Sequence, residues 1–310
     1  MILFVATNPS IDRTIALPTL VPHQVHRSSS LHMSAGGKAI NVARACHILG
    51  CSGTITGFLG GHSGQLLAEL VEQEKLAARW SYISSGETKM SHLLQHEDGD
   101  ATVINEPGPI LSREDWQAFT SLVLELAVQH RAVVQAGIIP PGVTALDYVN
   151  LCQELTHLCQ YVFIDTPGQT LEAITQAPRG FSIKVNLREL SDALGQDLSK
   201  PGQLHAAIRS LIGAGAQMVG VTLGAGGAIL ATSDGAWYSS PTPVNLVSSV
   251  GSGDSFTAGL VCALVRGASV RESLVLAAAA GAANSETLYP AVFPARRVEE
   301  LRATIKIESA

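Results

Sequence analysis

The chain has 310 residues, of which 46% are hydrophobic and only 15% charged; that composition supplies a sizeable buried core and excludes a disordered chain. A net charge of −6 lacks the basic field on which nucleic-acid binders rely, so no nucleic-acid partner is expected. The five cysteines (Cys46, Cys51, Cys152, Cys159 and Cys262) are odd in number and include no C-x-x-C pair, which favours free thiols in a reducing, cytoplasmic setting over disulfides or zinc.

Residues 2–7 form a short apolar run with no basic leader or cleavage site, which reads as a core strand and not a signal peptide. The turn Asn8-Pro9-Ser10-Ile11-Asp12 follows it. Asp12 there either closes a local turn or accepts hydrogen bonds from adjacent hydroxyls of a ligand. Residues 11–34 are half-polar and alternating, notably from His26 to Met33. They lead into Ala35-Gly36-Gly37-Lys38-Ala39-Ile40-Asn41, where glycines precede a helix over 39–49. Lys38 can meet a phosphate as a point charge and Asn41 can bond sugar hydroxyls; a solvated lysine and a locally bonded asparagine fit the same pattern.

Strands are expected over 53–59, 132–136, 161–165, 182–185 and 218–223, and helices over 66–76, 116–128 and 146–158, with a capping pattern at Ser112–Asp115. Their alternation implies an α/β fold with a mostly parallel central sheet covered on both faces. Residues 89–96 and 101–105 read as a hairpin turning at Asp98-Gly99. With 11–34 they form a small β-strand lid inserted into a single domain spanning 1–310. The apolar-rich helix over 270–283 is broken by Arg271, Glu272 and Ser273, too short for a membrane span.

Three later segments carry candidate chemistry. Lys184-Val185-Asn186-Leu187-Arg188-Glu189 offers Asn186 and Glu189 as oxygen ligands for hydrated Mg2+, and equally as a helix-capping pair. Thr222, Gly224, Gly226 and Gly227 end a strand in a turn that lets backbone approach nucleotide phosphates, or simply reverses the chain into residues 228–232. In Gly251-Ser252-Gly253-Asp254 two glycines open a helix over 256–265 whose first amides can face an anion. Asp254 can there take a proton from an attacking hydroxyl or merely complement the helix dipole. The spacings of a P-loop, a Rossmann fingerprint, a nucleophile elbow and a zinc protease are all absent from the sequence.

Taken in order, these segments resemble the PfkB family of the ribokinase-like superfamily, over nearly the whole chain. Asn8–Asp12 and the run from Gly37 to Ala43 point within it to the branch of 1-phosphofructokinase and tagatose-6-phosphate kinase. The resemblance implies a three-layer ribokinase-like fold and ATP-dependent transfer of the γ-phosphoryl group to a hydroxyl of a phosphorylated ketohexose. It implies Asp254 as general base and the amides of Gly251, Ser252 and Gly253 as the anion hole. Asp12, Gly36, Gly37, Lys38, Asn41 and Lys89 would hold the sugar phosphate; Lys184, Thr222, Gly224, Gly226 and Gly227 would lie at ATP; Asn186 and Glu189 would organise Mg2+. It also implies a homodimer clasped through the lid. The family pattern has a serine where this chain has Ile138 and often an arginine where it has Lys89, which leaves open a kinase of unphosphorylated sugars or nucleosides. A non-catalytic sugar-phosphate sensor is the remaining alternative.

Overall fold

Apolar runs without alternation need cover on both faces, and the strand at the start of the chain is buried at every position. The computed structural model describes residues 1–310 apart from 29, 97–100 and 201. In chain order its strands are β1 (Ile2–Ala6), β2 (Ser10–Leu17), β3 (Leu31–Gly36), β4 (Gly53–Leu59), β5 (Ala78–Tyr82), β6 (Lys89–His96), β7 (Ala101–Asn105), β8 (Ala132–Ala136), β9 (Tyr161–Asp165), β10 (Phe181–Asn186), β11 (Met218–Thr222), β12 (Ala228–Thr232), β13 (Gly235–Ser239) and β14 (Ile307–Ser309). The helices are α1 (Lys38–Ile48), α2 (Gly61–Gln73), α3 (Arg113–Ala127), α4 (Ala145–Leu158), α5 (Gly168–Gln176), α6 (Leu187–Leu194), α7 (Gln203–Gly213), α8 (Ser252–Val265), α9 (Val270–Ser285) and α10 (Ala295–Arg302).

Among the described residues the main sheet runs β14-β13-β12-β11-β10-β9-β8-β1-β4-β5. It is parallel from β11 through β5 and antiparallel at the β11–β12, β12–β13 and β13–β14 pairs. The pleat divides β1 between two cores. Leu3 and Val5 join the apolar faces of α3, α4, α5, α6 and α7. Ile2, Phe4 and Ala6 join those of α1, α2, α8, α9 and α10. The result is a helix–sheet–helix sandwich, the three-layer α/β arrangement expected from the alternation of elements.

The second sheet, β3-β2-β6-β7, is the lid. Its half-polar composition follows from burial: β2 and β6 mix buried with partly exposed positions, so each strand is only partly covered. Both lid strands β6 and β7 match the sequence expectation; the turn at Asp98-Gly99 lies outside the described residues. Within the half-polar run from His26 to Met33, β3 starts at Leu31. One reading changes. Asp12 is not in a turn: it lies inside β2, paired with Ser34 on one side and Ser91 on the other. The second helix also starts earlier than its apolar periodicity indicates, at Gly61. No helix among the described residues is long and apolar enough to cross a membrane.

Candidate active site

Open α/β sheets place their ligand crevice beyond the carboxyl ends of the strands. Here a cleft of about 940 Å³ opens beyond the ends of β8, β10 and β11, with the lid as its roof. Two helices point their N-termini into it. Both begin on glycines with left-side backbone angles, Gly37 at φ 98° and Gly251 at φ 81°, and neither start carries a side-chain cap. By contrast α3, α4, α6 and α9 close their first turns with full capping boxes. The amides of Gly253 and Asp254 donate to no protein acceptor among the described residues, so they remain available to an anion in the cleft. Asn284 braces this turn: its Nδ2 donates to the Val250 carbonyl at 2.8 Å and to Ser252 Oγ at 3.1 Å.

Asp254 lies on the first turn of α8, 7% exposed. Asn41 Nδ2 donates to its Oδ2 at 2.8 Å. Burial pushes the Asp254 carboxyl up to about 6, and the nearby Asp165 charge adds to this against Lys38, Lys184 and the Asn41 hydrogen bond. The carboxylate is therefore ionised at neutral pH, yet basic enough to take a proton.

Beside it is a buried charge cluster. Asp165, at the carboxyl end of β9, receives Lys38 Nζ at 2.7 Å on one oxygen and Lys184 Nζ at 2.9 Å on the other. Burial alone would raise its pKa; the two ammonium groups overcome that and hold it down at about 2. Lys38 also lies 3.4 Å from Glu189 Oε1, and these carboxylates, with Asp254, push its pKa up in spite of burial. Lys184 stands at the mouth of the glycine turn: a methyl group at Gly253 would come within 2.8 Å of its Nζ and would displace the ammonium.

On the lid side, Asp12 accepts from Ser10 Oγ at 2.7 Å and is raised by burial, with Ser10, Arg44 and Lys89 opposing. Lys89, at the start of β6, is 7% exposed and lowered by burial against Asp12 and Glu106. Among the described residues it forms no ion pair, and it lines the cleft. Ile138 lines the same wall, with Thr7 Oγ1 donating to its carbonyl at 3.2 Å.

The sequence candidates thus converge. Asp12, Gly37, Lys38, Asn41 and Lys89 reach the cleft from the lid side and from α1, and Lys184, Asn186, Glu189, Thr222, Gly224 and Gly227 from the strand ends opposite. Gly251, Ser252, Gly253 and Asp254 complete it at the start of α8. Two candidates fall outside the cleft lining. Gly36 lies beneath Asp12, where a Cβ would collide with the carboxylate. Gly226 points its carbonyl to Tyr238 Oη at 2.9 Å and serves the turn. Lys38 is not a free phosphate ligand, because Asp165 and Glu189 already hold it. Asn186 and Glu189 do form the capping box of α6: Asn186 Oδ1 accepts from the Glu189 amide at 2.8 Å and Glu189 Oε2 from the Asn186 amide at 3.0 Å.

Sequence reasoning missed Asp165, Arg44, Glu74 and Asn284. The first had a signal, a carboxylate ending the apolar strand β9. So did the second, an arginine within the apolar stretch Val42-Ala43-Arg44-Ala45-Cys46. Glu74 and Asn284 had none, since only the fold brings them to their partners.

For Mg2+, the wall offers one carboxylate and one amide oxygen at the start of α6, and no group of three or more acidic, histidine or cysteine ligands occurs among the described residues. Such a set fits a hydrated cation held mainly by nucleotide phosphates, not an all-protein cage.

Comparison with known proteins agrees with this geometry. The model of the pfkB family carbohydrate kinases matches residues 5–291. The chain is 30% identical over 279 residues to 1-phosphofructokinase of Escherichia coli strain K12, covering 90% of this chain and 88% of the relative. It is 29% identical over 306 residues to 1-phosphofructokinase of Bacillus subtilis strain 168, covering 98% and 99%. Phosphofructokinase-2 from Escherichia coli in complex with fructose-6-phosphate superposes with a TM-score of 0.89 at 26% identity, over 98% of both chains. The chain belongs to the pfkB family of carbohydrate kinases.

Proposed function

We propose that this kinase transfers the γ-phosphoryl group of ATP to a hydroxyl of a phosphorylated ketohexose, of the fructose 1-phosphate or tagatose 6-phosphate type, with Asp254 as general base. The observation that carries the reading is the Asp254 carboxylate, buried, held at one oxygen by Asn41 and adjacent to unpaired amides and two lysines. The acceptor hydroxyl donates to the free Oδ1 of Asp254 and loses its proton to it as its oxygen bonds to phosphorus. The bond from phosphorus to the bridging oxygen of ADP breaks in the same displacement, and the proton leaves Asp254 to solvent after product release. Charge spread over the transferring group is met by the open amides of Gly253 and Asp254, and the charges of Lys184 and Lys38, both paired with Asp165, act on it through space. Asn186 and Glu189 would hold Mg2+, which would supply neutralisation of phosphate charge. Thr222, Gly224 and Gly227 flank the nucleotide.

Asp12 and Asn41 bind sugar hydroxyls, and Lys89 meets the acceptor's phosphate. The free, buried ammonium of Lys89 supports a phosphorylated acceptor, as do relatives named 1-phosphofructokinase. Ile138 favours a second reading, an unphosphorylated sugar, because it puts a half-exposed apolar side chain in the cleft wall. Initial rates with fructose 1-phosphate, tagatose 6-phosphate, fructose 6-phosphate and the free sugars test the choice; free sugars turning over as well as their phosphates would overturn the first reading. Lid residues Leu31, Val103 and Ile104 are exposed and apolar, which supports a homodimer clasped through the lid.

A further inference from the structure

Arg44 is a buried charge to which the reaction above assigns no task. It is 8% exposed on α1, one turn after Asn41. Arginine is rarely so enclosed without a full set of acceptors. Its Nε and Nη2 form a fork on Glu74, at 2.5 and 2.7 Å from the two carboxylate oxygens. Nη2 also donates to the Ala35 carbonyl, immediately before the glycines that open α1. Nη1 donates to Asn41 Oδ1 at 2.8 Å and approaches the Pro290 carbonyl at 3.5 Å. Pro290 in turn lies against Gly251, 2.8 Å from where a Cβ there would stand.

The orientation of the Asn41 amide follows from this donor. A guanidinium has five N–H donors and no acceptor, so the amide must turn its oxygen to Arg44. Its NH2 group then faces Asp254, which accepts at 2.8 Å. Reversed, the amide would set two donors against each other and two acceptors against each other, all of them buried.

We propose that Arg44, braced by Glu74, is a positioning residue for phosphoryl transfer: it fixes the Asn41 amide so that one Asp254 oxygen is occupied and the other is presented to the acceptor hydroxyl. The proposal rests on Asp254 being the base. The chain Glu74–Arg44–Asn41–Asp254 carries orientation from the C-terminal end of α2 to the reacting atoms, and the Ala35 and Pro290 contacts tie the same guanidinium to both glycine turns. Glu74 balances the arginine's charge, so the chain holds geometry without adding net charge to the site.

The test uses the full-length chain, labelled with 15N, with the Asn41 side-chain amide assigned by its loss in Asn41→Ser. In the unmodified protein its two protons are inequivalent and exchange slowly. In Arg44→Met they exchange at least about tenfold faster, and kcat falls roughly 10- to 100-fold while KM for ATP and acceptor stays within about threefold. Arg44→Lys, which can reach Asn41 Oδ1 but cannot fork, recovers part of kcat; Glu74→Gln falls between, and these two carry the same readings should Arg44→Met not fold. An unchanged Asn41 amide, or a kcat equal to that of the unmodified protein, overturns the proposal. Absence of turnover by the unmodified protein with every acceptor overturns the kinase reading instead, and the amide signal alone then decides whether Arg44 orients Asn41.

Discussion

Asp165 and Asp254 are both buried and both feel Lys38 and Lys184, yet they titrate in opposite directions, because Asp165 is bonded by both ammonium groups and Asp254 is not. Asp254, raised to about 6, binds its proton more readily folded than unfolded, so the folded state loses stability as pH rises from its ordinary value near 3.8 through 6. Removing that charge stabilises: Asp254→Asn is expected to raise Tm by a few degrees, on the order of 2–3 kcal/mol at neutral pH, while cutting kcat by roughly 100-fold or more. Scanning calorimetry and steady-state rates check the two halves. In the unmodified protein kcat/KM should fall as pH drops through about 6, as the free carboxylate of Asp254 becomes protonated. Asp165 has the reverse linkage. Its contribution is fully present above about 3.8 and is lost as pH falls toward about 2. Asp165→Asn leaves two buried ammonium groups without their carboxylate and should cost about 3–5 kcal/mol in urea unfolding.

At the scale of elements, the helices divide by how their first turns are satisfied. Those with capping boxes are self-sufficient, whereas α1 and α8 leave amides open to the cleft. Ser269→Ala, which removes the cap of α9, should lower stability by about 1 kcal/mol with kcat unchanged. Asn186→Ala removes a cap of the same kind from α6, whose Glu189 lines the cleft. Its stability loss should be similar, but half-saturation by Mg2+ should also rise, as measured by rate against Mg2+ concentration.

For the whole molecule, two sheets share one cleft. The three-layer body supplies Asp254, the charge cluster and the open amides; the lid supplies Asp12 and Lys89, set in adjacent strands with Ser10 opposite Lys89. This division predicts separable effects. Lys89→Gln should raise KM for phosphorylated acceptors roughly 10- to 100-fold, with KM for ATP and rates on unphosphorylated sugars little changed, since a charge-assisted bond to the acceptor phosphate is lost and the transfer machinery is untouched. Steady-state kinetics across both acceptor classes measures it.

Hydrophobic patterning alone determined the parallel body, because strands buried on both faces must be apolar throughout and amphipathic helices must cover them; β4, β8 and β9 fall where the apolar runs lie. The glycine turns before α1 and α8 were legible as candidates, each beside a purely local reading as a helix start, and it is their convergence on one cleft that the fold adds. Tertiary structure decided which partners those residues meet. Asn41 and Asp254 are 213 positions apart, and Lys38 and Asp165 are 127 apart, so no local pattern records that the first pair shares a hydrogen bond or that the second is an ion pair. The capping reading of Asn186 and Glu189 was local and could be read from spacing three; the place of Arg44 between Glu74 and Asn41 could not, because it depends on how α1 lies against α2 and α8.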